Sequence, residues 1–129
     1  TLSIFVKKEF EMNSRQFDEV LENRIALTRK VLLSKRAEYA PEDGNRLHNF
    51  RRSAALLGQS AEKALVGMLA KHLVAILDIV DAIPKQIPTP ALVEEKIGDA
   101  VNYLILLEAL LKERIGSGIL IPNKTIKGK

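Results

Sequence analysis

"DIVDAIPKQIPTPALVEEKIGD", residues 78–99, contains the turn that decides the fold. Apolar side chains recur at three- and four-residue steps up to Ile83, which is helical periodicity, and Pro84 cannot continue the hydrogen-bond ladder. Thr89 then offers a capping hydroxyl, with Pro90 at the first helical position, where a missing N–H leaves nothing unsatisfied. The stiff connector PKQIPTP is only a few residues long, so the helices on either side fold back as an antiparallel hairpin.

Working outward, the helix before the turn starts behind Ser60 and carries Leu65, Met68, Leu69, His72, Ile76, Ile79 and Ile83 on one stripe. The helix after it runs through Ile97, Val101, Leu104, Leu107, Leu111 and Ile115 to Gly116. Its middle, AVNYLILLEALL (100–111), is apolar nearly all round and belongs at the centre of the bundle or in a subunit interface. A short helix from about Arg46 to Leu57 stops at Gly58, a left-handed C-cap. The first helix begins at Asn13 or Ser14 with Gln16 placed for a capping box. It places Phe17, Val20, Leu21, Ile25, Thr28, Val31 and Leu32 on one face and ends near Glu38, before Pro41 and Asp43-Gly44 turn the chain.

The expectation is an all-α, four-helix bundle-like domain with a short second helix. The chain is a single domain, 1–129, with its core at 13–116. The arms 1–12 and 117–129 are extended or pair as a small β-ribbon; TLSIFV alternates and GILIP is β-branched.

With 129 residues the chain suffices for one core, and 47% apolar residues with only 5% aromatics and no Trp make that core aliphatic. There is no Cys, which excludes disulfides, thiolate metal sites and a Cys nucleophile. No apolar run is long enough for a membrane span, and in TLSIFVKKEF the charges follow the apolar residues, the wrong order for a signal peptide. These features describe a cytoplasmic protein with no membrane contact.

The net charge of +4 is unevenly placed. Residues 24–52 carry eight basic side chains (Arg24, Arg29, Lys30, Lys35, Arg36, Arg46, Arg51, Arg52) against Glu38, Glu42 and Asp43. Such a field favours an anionic partner, nucleic acid or a smaller phosphate-bearing ligand. Backbone N–H groups at the start of the second helix, with Arg46, Arg51 and Arg52, make an anion site that Lys35 and Tyr39 could close. Asn49 and Phe50 sit in the same turn. The plainer alternative is an exposed basic turn whose Tyr39 and Phe50 seal the core edge.

Two acid pairs flank the hairpin. Asp78 and Asp81 are three apart near one helix end, Glu95 and Asp99 four apart near the start of the next, at about the same height. Four carboxylates from facing helices are the kind of oxygen set that holds Mg²⁺. The alternative is solvated surface charge or pairing with Lys71 and Lys85. Asp99, Asn102 and Tyr103 share a face, as a hydrogen-bond network or as ligand contacts. His72, on the apolar stripe, reads as a buried, hydrogen-bonded histidine. Neither histidine stands in a nucleophile-elbow context, and no Gly-rich phosphate loop is present.

Three stretches carry a resemblance: "KRAEYAPEDGNRLHNF" (35–50), "GMLAKHLVAILD" (67–78) and "EEKIGDAVNYLILLEAL" (94–110). Their order over residues 35–111 resembles small phage proteins with an Arg-Leu-His-Asn-Phe turn, a Lys-His helix and an Asp-x-x-Asn-Tyr helix. It is similar to the nucleotide-modification-associated domain of phages and, more distantly, to the all-α NTP pyrophosphatases of the MazG type. The pyrophosphatases bind Mg²⁺ through Glu-x-x-Glu and Glu-x-x-Asp. Here Asp78-x-x-Asp81 replaces the first pattern and Glu95 stands four residues before Asp99, while Glu19-x-x-Glu22 fits the first motif much earlier in the chain.

The resemblance implies a phage-encoded, nucleotide-binding protein of the bacterial host cytoplasm. One version is a Mg²⁺-dependent nucleoside triphosphate hydrolase with Asp78, Asp81, Glu95 and Asp99 on the metal. The other is a non-catalytic inhibitor that sequesters a nucleotide messenger or binds a host protein or nucleic-acid complex. Ligand contacts are expected from Lys35, Tyr39, Arg46, Asn49, Phe50, Arg51, Arg52, Lys71, Asn102 and Tyr103. The apolar run 104–111 predicts a homo-oligomer, most simply a dimer.

Overall fold

A computed structural model describes residues 10–34 and 47–119. Four helices form: α1 (Ser14–Ser34), α2 (His48–Leu57), α3 (Ala61–Ala82) and α4 (Pro90–Ile119). Among the described residues there is no strand, and the fold is an all-α, bundle-like arrangement.

The helix starts are set by the chain's own polar side chains. At α1 the Asn13 backbone N–H donates to Gln16 Oε1 at 2.9 Å and the Gln16 N–H donates to Asn13 Oδ1 at 2.8 Å, a reciprocal capping box. Ser60 Oγ accepts from the Lys63 N–H and Thr89 Oγ1 from the Leu92 N–H, each at 3.1 Å. Gly58 ends α2 at φ 64°, a backbone position that suits a residue without Cβ.

One boundary differs from expectation. Gly116 does not end α4, which continues to Ile119, because a glycine stops a helix only where its backbone turns left-handed, and among the described glycines only Gly58 does. Residues 117–119, read as the start of an extended arm, are therefore helical. The remaining arm residues 1–9 and 120–129, and the turn after α1, lie outside the described residues.

α3 and α4 form the antiparallel hairpin. His72 meets Asp99 in its middle and Glu62 meets Arg114 at its open end. The core is Phe50 from α2, Leu65 and Leu69 from α3, and Ala100, Leu106 and Leu110 from α4; Leu65 is fully buried. α2 therefore packs along one side of the hairpin.

α1 runs along α4 in the same direction. Arg24 donates to the Glu94 carbonyl oxygen at 3.0 Å and Asn23 to the Glu94 carboxylate at 3.1 Å, while Thr28 and Leu32 share a groove with Val101 and Ile105. Because Arg24 already sits level with Glu94, the first two turns of α1 project past the start of α4. Phe17, Val20 and Leu21 lie on the expected apolar stripe but stay exposed for that reason.

Candidate functional site

α2 is short, and all of its polar residues except Arg51 gather on one face. His48, Asn49, Arg52, Ser53 and Leu56 fall at one-, three- and four-residue steps, and all border a cleft of about 500 Å³ completed by Phe50, Met68 and Tyr103. The floor is aromatic. Tyr103 meets Phe50 edge-on, with ring centroids 6.0 Å apart and planes at 74°, and lies 4.7 Å from the His72 ring at 32°. Behind it, His72 Nδ1 is 3.5 Å from Asp99 Oδ2, which ties the ring to α4. His72 is half-buried rather than sealed in the core, with a quarter of its side chain exposed. Its stripe is apolar, but it sits where α3 and α4 flank the cleft.

A volume of this size lies in the range of small-molecule sites, which pair mostly apolar walls with a few polar groups. Here the polar groups are an amide (Asn49), a hydroxyl (Ser53), an imidazole (His48) and an exposed guanidinium (Arg52). They can hydrogen-bond a ring edge and neutralise an anion beside aromatic and thioether surface. Of the residues expected from sequence to touch a ligand, Asn49, Phe50, Arg52 and Tyr103 come together in this cleft.

The others separate. Arg51 turns to the opposite side of α2 and pairs with Glu113 of α4, lining a second cavity of about 310 Å³ with Glu62 and Arg114. Lys71 is exposed on α3. Asn102 is partly buried, and its Oδ1 has no hydrogen-bond partner among the described residues. Lys35, Tyr39 and Arg46 lie outside the described residues.

The four carboxylates expected to share Mg²⁺ are not brought together. Asp99 faces His72, Glu95 faces Lys96 at 3.6 Å, Asp78 borders a small pocket at the hairpin turn with Ile79, Gln86 and Leu92, and Asp81 is exposed. Among the described residues no group of three or more His, Asp or Glu is arranged to hold a metal ion. The surroundings of the turn are largely aliphatic: Ile76 packs against the core, and Ile79 and Leu92 line the pocket that Asp78 borders.

His48, Ser53, Leu56 and Met68 were not anticipated as cleft residues. Their signal was present in the spacing of α2, where 49, 52, 53 and 56 fall on one face, and in Met68, one turn before His72. Among the described residues no helix is long and apolar enough to cross a membrane. Comparison with known proteins found no match: no family model, no curated protein and no solved structure aligns with the chain.

Proposed function

We propose that the protein binds a nucleotide, or a small molecule that likewise joins a flat ring to a phosphate, in the cleft between α2 and the α3–α4 hairpin. The observation that carries this reading is the convergence of Tyr103, Phe50, Asn49, Ser53 and Arg52 on one opening of about 500 Å³. The ring packs against Tyr103 and Met68, Asn49 and Ser53 hydrogen-bond its edge, and Arg52 with His48 receives the phosphate. The ligand class agrees with the resemblance to phage nucleotide-handling proteins, and within that setting the reading is a binder that holds its nucleotide rather than a metal-dependent hydrolase. A Mg²⁺ ion would arrive on the nucleotide, because the four named carboxylates do not gather to hold one.

The test is a thermal-shift series with mono-, tri- and cyclic nucleotides, each with and without Mg²⁺, followed by analysis of the recovered nucleotide. A ligand that binds only the folded state raises the melting temperature by mass action. The expected result is a concentration-dependent rise that persists in chelator, with the nucleotide recovered intact. No rise with any nucleotide would remove the proposal, and Mg²⁺-dependent conversion of the nucleotide would replace the binder with the hydrolase.

A further inference from the structure

α3 carries a second apolar stripe on the side away from the cleft. Its packing stripe against α4 is Leu65, Leu69, His72 and Ile76. One residue further along, Val66, Ala70, Leu73, Leu77 and Val80 follow at steps of four, three, four and three, the repeat of a coiled-coil seam. Val66, Leu73, Leu77 and Val80 are between 45% and 58% exposed. α4 repeats the pattern. Next to Tyr103 and Leu110 on its packing side stand Leu104 and Leu111, which are 51% and 47% exposed. In an antiparallel pair, a one-residue step rotates both stripes toward the same side of the hairpin. α2 holds the other side, where Met68 and Tyr103 border its cleft. The hairpin is therefore apolar on both of its faces, and among the described residues only one of them is covered.

We infer that a second copy of this chain covers the open face, the two α3–α4 hairpins packing into one four-helix bundle about a two-fold axis near Leu73. The area favours this occupant. The six exposed side chains amount to roughly 500 Å² of apolar surface, toward the upper end of the largest patch a monomer carries. At the roughly 65% apolar content of homodimer interfaces, that corresponds to about 800 Å² per partner, the standard footprint.

The rim charges favour it too. Lys63 and Asp81 are both exposed and eighteen residues apart, which is five full turns, so they lie on one line beside the seam. A two-fold axis near Leu73 places Val66 against Val80 and brings Lys63 within a turn of Asp81 of the other copy, within reach of its long side chain. The same contact answers the position of Asp81 in the last turn of α3, where the helix dipole alone disfavours a carboxylate.

The experiment is sedimentation velocity with light scattering on the chain across a micromolar-to-millimolar series. The expected mass is twice the 14.4 kDa of one chain. Leu73→Glu combined with Leu77→Glu places four carboxylates in the seam, and a single-chain mass with helical circular dichroism retained is expected. Lys63→Glu should weaken the dimer about tenfold or more, and adding Asp81→Lys should restore it, since like charges juxtaposed across an interface are costly. These charge variants lie on the rim and do not depend on core folding. A single-chain mass for the unaltered protein at every concentration overturns the inference, as does a dimer that survives the seam substitutions or a double charge swap that fails to recover it.

Discussion

Arg51 and Arg52 are neighbours in the chain that serve different cavities. Successive helical residues point about 100° apart, so Arg52 borders the cleft while Arg51 reaches Glu113. Read as letters, the two belong to one basic turn, which is why the sequence assigns them one role; the separation lies in where α4 places Glu113, far along the chain, and no local pattern carries that. Replacing Arg52 with Ala should weaken a bound nucleotide by about 1.5–3 kcal/mol, the range for charge-assisted hydrogen bonds, with the melting temperature of the free protein unchanged. Arg51→Ala should do the reverse, leaving affinity alone and costing stability less than about 1 kcal/mol, because both partners of its ion pair are substantially exposed. Calorimetric titration of both variants checks this, and equal losses of affinity would mean the cleft is larger than described. A second residue-scale feature was there to be read. Gly98 interrupts an otherwise good helical run, where glycine is tolerated at a cost relative to Ala. A Cβ there would lie 2.7 Å from Arg24 Nη1. Gly98→Ala should therefore gain less in the unaltered protein, since the Arg24 guanidinium, which donates to the Glu94 carbonyl oxygen through Nη2, has to shift. In an Arg24→Ala background it should stabilise by about 1 kcal/mol, the helix-propensity difference. Chemical denaturation of the four proteins closes that cycle, and the same gain in both backgrounds would show that Arg24 does not need the missing side chain.

At the scale of elements, the sequence carried most of the information. Asn13, Gln16, Gly58, Ser60, Thr89 and Pro90 are local signals acting over three or four residues, and each sits at the boundary it implied. Gly116 misled because glycine permits a helix end without requiring one. What the local signals could not show is how the open end of the hairpin is closed. There Arg114 Nε and Nη2 donate to the two carboxylate oxygens of Glu62 at 3.0 and 2.8 Å, a bidentate pair joining the first turn of α3 to α4. The Arg114 guanidinium, through these hydrogen bonds first, holds the Glu62 carboxyl below its usual pKa; the residue's own backbone N–H and the Ser60 hydroxyl act in the same direction. A carboxyl lowered by folding adds stability that is fully present above its unfolded pKa and is lost as pH falls through the folded value. Stability should therefore decline as the solution is acidified below the ordinary glutamate range, and Glu62→Gln should flatten that part of the profile. Because Arg114 is two-thirds exposed, the difference should not exceed about 1 kcal/mol. Urea midpoints of the two proteins between neutral and acid pH give the measurement, and parallel profiles would assign the acid sensitivity to other carboxylates.

For the molecule as a whole, the hairpin divides labour between its two sides. One side meets α2 and forms the cleft; the other exposes the 66–80 seam of α3 with Leu104 and Leu111 of α4. The sequence showed that 104–111 holds more apolar surface than one helix side can hide, but the matching seam on α3 escaped notice because its packing stripe satisfied the helical pattern alone. Likewise a cluster of acids was expected at the turn, where Ile79 and Leu92 line the pocket that Asp78 borders and no metal-holding group forms among the described residues. Opposite faces of one rigid hairpin imply separable functions. If the cleft is built within one chain, the seam variant Leu73→Glu with Leu77→Glu should bind nucleotide with an affinity within about threefold of the unaltered protein, less than the factor of ten that 1.4 kcal/mol represents, and with one site per chain. Arg52→Ala should in turn leave the assembly mass unchanged. Titration calorimetry on the seam variant and scattering on the cleft variant form the paired test. Loss of nucleotide binding on dissociation, with helicity intact, would show that the second copy completes the cleft, and the site would then have to be sought where α2 of one chain approaches the other.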